Sequence, residues 1–101
     1  MYGTVAWMKV KPGMESKLNE LSERWWRERA PKAKGVMSST VLKKDAGTNE
    51  YLLVAVFDSK ANYEANAEDP EQDAWYQDFR ACLESDPAWN DGEVIYHEHQ
   101  H

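Results

Sequence analysis

Asn49-Glu50-Tyr51-Leu52-Leu53-Val54-Ala55-Val56-Phe57-Asp58-Ser59 is the run from which the fold is read. After Tyr51 it carries six apolar residues without a charge, rich in β-branched and aromatic types, as in a strand buried on both faces. Asp45-Ala46-Gly47-Thr48-Asn49 ahead of it carries turn chemistry, so the strand reads as the second arm of a hairpin. Ser59 ends it, because its hydroxyl can accept from a free N–H of a first helical turn; the spacing predicts a short helix over 60–67. A strand buried on both faces needs cover from two sides. Helices of the same chain supply one side, and a second copy of the molecule is expected to supply the other.

Working outward, 2–11 reads as a first strand, with Ala6, Met8 and Val10 on one face and Val5 and Trp7 on the other. Pro12-Gly13 is a turn and helix-start signal. Met14, Leu18, Leu21 and Trp25 recur at helical spacing, which predicts a helix over 14–30. Trp26 is turned about 100° from Trp25 and falls at the edge of the apolar face. Arg27, Glu28 and Arg29 close the helix and Pro31 stops it. Gly35 releases the chain into a second strand over 36–44. Asp69 as cap with Pro70 at the first helical position starts a further helix over 70–84, with Trp75, Phe79 and Cys82 on one face and Tyr76 beside it. Asp86-Pro87 ends that helix. Trp89 then falls in a loop, and Asn90-Asp91-Gly92 turns into a last strand over 93–97.

The order β-α-β-β-α-(α)-β predicts an α+β architecture, the ferredoxin-like split β-α-β fold, with an antiparallel sheet covered by helices on one face. The other face carries apolar residues, so two sheets are expected to pack face to face in a homodimer, an α/β barrel. One domain over 1–97 and a short tail over 98–101 account for the 101 residues. The net charge is −6. With no basic run, nucleic-acid and anionic-membrane binding are disfavoured. No apolar run approaches the roughly 20 residues of a membrane span, and no secretory leader is legible, so a cytoplasmic protein is expected. The lone Cys82 cannot form an intrachain disulfide and reads as an inert core thiol.

Three stretches carry a resemblance: Met8-Lys9-Val10-Lys11-Pro12-Gly13-Met14-Glu15; Leu53-Val54-Ala55-Val56-Phe57-Asp58-Ser59-Lys60-Ala61-Asn62-Tyr63; and Asn66-Ala67-Glu68-Asp69-Pro70-Glu71-Gln72-Asp73-Ala74-Trp75-Tyr76. Over about residues 2–96 the sequence resembles the antibiotic biosynthesis monooxygenase domain of the dimeric α/β-barrel superfamily. The resemblance implies a ligand cavity between sheet and helices. It also implies, as in some relatives, oxidation of reduced polycyclic aromatics by O2 without metal or flavin. Many members carry a His on the short helix where this chain has Asn66. Haem-degrading relatives use an Asn on the first strand, a Trp on the short helix and a His on the next. The matching positions here are Ala6, Asn66 and 76–78, where no His stands, which argues against that route.

The residues expected to orient a hydroxylated aromatic are Tyr76, Asn66 and Trp75: a phenol and an amide to hydrogen-bond it, an indole face to stack on it. Tyr63, Trp7, Trp25, Trp26, Phe57 and Phe79 are candidate pocket walls. Tyr63 and Trp75 read equally as core, Asn66 as a helix C-cap and Tyr76 as a half-exposed ring. A non-catalytic dimeric protein binding a flat apolar ligand is the alternative to an oxygenase, and haem binding by the tail histidines is a distant third. His97, His99 and His101 alternate along an extended tail, which reads as a frayed terminus. The acidic cluster Glu68, Asp69, Glu71 and Asp73 reads as helix capping, and no metal or cofactor site is expected.

Overall fold

The computed structural model describes residues 1–45 and 49–100. The centre of the expected hairpin turn, 46–48, and the last tail histidine, His101, lie outside the described residues. Strand β1 spans Tyr2–Lys9, helix α1 Glu15–Arg24, strand β2 Val36–Lys43 and strand β3 Glu50–Phe57. Helices α2 (Lys60–Glu68) and α3 (Pro70–Arg80) follow, then strand β4 (Ala88–Glu93). The sheet order is β2-β3-β1-β4, antiparallel throughout, which is the ferredoxin-like arrangement.

The local signals act as expected. The Ser59 hydroxyl accepts from the Asn62 N–H at 3.1 Å and starts α2. Asp69 accepts from the Glu71 N–H at 2.9 Å, with Pro70 in the first turn of α3. Gly35 holds φ at +78° against Asp58, where a side chain would have no room.

The even residues of β1 face the helices. Met8, Val10, Leu18, Leu21, Tyr51, Phe79, Cys82 and Leu83 form the core, with Met14 packed against it. On the opposite face lie Val5, Trp7, Leu52, Val54 and Val56, paired across β1 and β3. In a single chain this face is open: Val5 is exposed and Leu52, Val54 and Val56 are half-buried. Of the two-sided cover read from the sequence, the single chain supplies one side only.

Three expectations are corrected. The last strand is not 93–97 but Ala88–Glu93, and Trp89 stands in it rather than in a loop. Asn90-Asp91-Gly92 does not turn; it pairs with Val5, Thr4 and Gly3 of β1. An exposed edge strand tolerates polar residues, and pairing along β1 outweighs their turn preference. Ile95 and Tyr96 are left exposed. The α3 helix ends at Arg80, because the next residues tighten into a turn that brings Leu83 to bridge Val10. The first helix does not run evenly to residue 30. From Trp25 to Arg29 it widens to a π-helical turn, with the Ala30 N–H bonded to the Trp25 carbonyl at 2.9 Å.

That widening sends both Trp25 and Arg29 inward. Arg29, read as one of the residues that close the first helix, is 6 % exposed. Its guanidinium donates to Glu71 at 3.1 Å, Asn66 at 3.1 Å and Asp69 at 3.3 Å, tying the first helix to the α2–α3 junction.

Candidate functional site

Between the inner face of the sheet and the three helices lies a cavity of about 450 Å³. This is within the usual range for a small-ligand site. Its sheet wall comes from alternate residues of neighbouring strands: Thr4 of β1, Leu53, Ala55 and Phe57 of β3, Trp89 and Asp91 of β4. The helix wall comes from Trp25, Tyr63, Asn66, Trp75, Tyr76 and Phe79.

The rings are fixed by contacts of their own. The Trp75 indole N–H donates to the Leu21 carbonyl at 2.9 Å, and its ring stacks on Phe79 with centroids 4.9 Å apart. The Trp25 N–H donates to the Gln72 side chain at 2.7 Å. Phe57 meets Tyr63 edge-on at 5.5 Å. The indoles of Trp25 and Trp75 each have their polar atom satisfied by the protein, so these rings present apolar faces in held orientations.

The polar groups on the wall are few and differ in state. Asn66 accepts from Arg29 through its side-chain oxygen, which leaves its amide N–H2 as a donor. The Tyr76 hydroxyl makes no hydrogen bond among the described residues; burial first, and then the Asp86 charge, raise its pKa, with Arg80 opposing. It therefore stays a neutral donor. The Tyr63 hydroxyl donates to Asp91 at 3.0 Å. Burial, and then that bond, push its pKa up to about 12. The Thr4 hydroxyl lies near enough to the same phenol to act in the opposite direction, yet it completes no hydrogen bond. Asp73, on α3, brings a second carboxylate to the wall.

Of the residues singled out in the sequence, Tyr76, Asn66, Trp75, Tyr63, Trp25, Phe57 and Phe79 converge on this cavity. Trp7 does not: it lies on the outer face of the sheet and donates to Glu50 at 2.8 Å. Trp26 also lies outside it, half exposed, over a shallow groove with Ser22, Arg27 and Val41. His97 and His99 stack on each other in the tail, away from the cavity. Among the described residues no cluster of His, Cys, Asp or Glu is arranged to hold a metal ion. No described helix is long and apolar enough to cross a membrane.

Thr4, Trp89 and Asp91 were not legible as site residues. Thr4 shares the parity of Ala6 and Met8 and could have been placed by alternation. Trp89 and Asp91 were hidden by turn chemistry, which the pairing with β1 overrides.

The sequence matches no family model and no curated protein. Solved structures do match over nearly the whole chain. A protein of Caulobacter crescentus named as a candidate antibiotic biosynthesis monooxygenase superposes with a TM-score of 0.82 at 12% identity, covering 94% of this chain and 90% of its own. One of Nitrosomonas europaea, named in the same way, gives 0.77 at 17% identity, covering 95% and 100%. A second Nitrosomonas europaea protein, described as of unknown function, gives 0.76 at 18% identity, covering 99% and 94%. At such identities the likeness establishes the fold; the named activity is that of the other proteins.

Proposed function

We propose that the chain is a cofactor-independent monooxygenase acting on a small hydroxylated aromatic, such as a reduced polycyclic phenol, held in the cavity. The observation that carries the reading is a 450 Å³ space walled by immobilised aromatic rings, with a few uncommitted polar groups among them. The names of the structural neighbours agree with it.

The chemistry asks little of the protein. A deprotonated, electron-rich aromatic gives one electron to O2, and the radical and superoxide recombine to a peroxide. For a ring methylene, loss of water then leaves a carbonyl: CH2 and O2 become C=O and H2O, so the substrate supplies every electron. The chain's residues bind, orient and assist deprotonation. Trp75 stacks on the ring system. The free N–H2 of Asn66 and the Tyr76 hydroxyl donate to the oxygen on which negative charge develops. Asp73 and Asp91 are the carboxylates placed to take the proton.

A second copy of the chain completes this reading. Val5, Leu42, Val54 and Val56 form an apolar outer sheet face that a matching face would cover in a homodimer.

Oxygen uptake against a panel of anthrones, quinols and catechols tests the function, with metal, flavin and haem added in separate arms. Uptake without additions is expected, and Trp75→Ala, Tyr76→Phe and Asn66→Ala should each lower kcat/KM by about ten-fold or more, the loss of one good interaction. Turnover untouched by all three variants would sink the site assignment. Tight binding of the same aromatics without oxygen consumption would instead identify a dimeric binding protein for flat apolar ligands.

A further inference from the structure

Two side-chain amides line the cavity: Asn66 in the last turn of α2 and Gln72 in the first turn of α3. The first helix takes the oxygen of each. Gln72 Oε1 accepts from the Trp25 indole N–H at 2.7 Å, and Asn66 Oδ1 accepts from the Arg29 guanidinium at 3.1 Å. Trp25 and Arg29 are both buried and stand about one turn apart in the π-helical segment, where side chains four residues apart are neighbours. They gather the two amides at one place on the wall, the α2–α3 junction.

An indole and a guanidinium are donors only. An amide turned over would set N–H against N–H and forfeit its bond, which for Arg29 is charge-assisted. Each amide is therefore held one way round, with the N–H2 as its uncommitted end. Neither nitrogen makes a hydrogen bond among the described residues, and neither is sealed from solvent. The sealed side-chain polar atoms without a partner, among those residues, are the Thr4 hydroxyl and Arg29 Nε. The Arg29 charge is matched by Asp69 and Glu71, so it brings no net positive charge to the wall. What it supplies is the direction of the amide dipole. Two accessible N–H2 groups at one junction suit an oxygen with two lone pairs, a carbonyl or a phenolate. A ligand N–H brought there meets only donors.

We infer that Asn66 and Gln72 form a paired-amide cradle for an acceptor oxygen on an aromatic ligand, and that Trp25 and Arg29 are the positioning residues that set its polarity. This rests on the aromatic-cavity reading above and deepens it. Gln72 joins Asn66 in supporting the charge on the ligand oxygen when a phenol is deprotonated.

The test is an NMR titration near neutral pH with 1-indanone and indole. They share a fused six–five frame and offer, respectively, one acceptor oxygen and one donor N–H. The intact protein should bind 1-indanone about ten-fold tighter or more. Asn66→Asp and Gln72→Glu each keep an oxygen on Arg29 or Trp25 and replace the N–H2 by a second acceptor. Each should weaken 1-indanone about ten-fold and leave indole no weaker. Trp25→Phe keeps a ring in the wall but frees Gln72 to turn over, so indole should gain about three-fold or more, a gain that structural damage would not give. Equal binding of the two probes to the intact protein overturns the cradle and leaves the aromatic cavity standing. So does a ratio unchanged in both Asn66→Asp and Gln72→Glu, or a loss of both probes alike. Indole unimproved in Trp25→Phe removes the positioning role of Trp25. The expected ratios without oxygen uptake uphold the cradle and remove the oxygenase. Binding of neither probe removes both.

Discussion

Tyr63 shows how one side chain serves ring packing and hydrogen bonding together. Its ring packs on Phe57 and Tyr2, and its hydroxyl closes on Asp91. Both burial and the neighbouring carboxylate disfavour a tyrosinate, so its pKa rises from an ordinary 10.0 to about 12. A folded-state pKa above the unfolded one means that the fold binds the proton more tightly. The stability it contributes is present in full below pH 10 and is lost as pH rises towards 12. Chemical denaturation across that window should show a fall that is shallower in Tyr63→Phe. An identical alkaline profile in the variant would mean that Tyr63 is not held as described. Cys82 follows the same logic more simply: it is buried in the core, its pKa is raised by desolvation, and it plays no part in the cavity.

Elements meet at the α2–α3 junction, where Asp69 has two tasks. It caps α3 through the Glu71 N–H and it partners Arg29 from the π-helical turn. Ser59 has only the first kind of task, at the start of α2. The pair makes a controlled comparison. Ser59→Ala should cost about 1 kcal/mol, the usual worth of a cap. Asp69→Ala should cost about 2 kcal/mol, because a buried guanidinium also loses one of its acceptors. Urea denaturation measures both. Equal losses would show that the Arg29 tie adds nothing to stability. Because Arg29 also holds the Asn66 oxygen, the same junction fixes which end of that amide faces the cavity.

For the whole molecule the open sheet face is the dominant unsatisfied feature. Val54 lies at its centre, flanked by Val5 and Thr40 in register. Light scattering of the intact protein should give twice the 11.7 kDa chain mass. Val54→Glu should give the single-chain mass, since a charge cannot be buried unpaired between two apolar sheets. A monomeric native mass would remove the dimer. The cavity walls described come from a single chain, so a monomeric variant also tells whether ligand binding needs a second copy.

The sequence by itself determined the order of the elements and the place of all but the last strand. Apolar alternation in β1, the capping residues Ser59 and Asp69, the Pro12-Gly13 turn and the 3.6-residue recurrence of Leu18, Leu21 and Trp25 are local, and local signals act within a few residues. Seven of the nine residues picked as orienting or wall groups reach one cavity, because aromatic residues at inward-facing positions have few other places to go. Tertiary structure alone decided the rest. Trp89 and Asp91 join the site only because their segment pairs with β1, and pairing partners more than eighty residues apart leave no local trace. The burial of Arg29 depends on a π-helical turn whose sequence reads as ordinary helix. Trp7 and Trp26 were as aromatic as their neighbours, yet sheet parity placed one on the outer face and helix phase set the other over a separate groove. Residue type proposes a role in binding; the face on which register and helix phase set the side chain decides whether it can take that role.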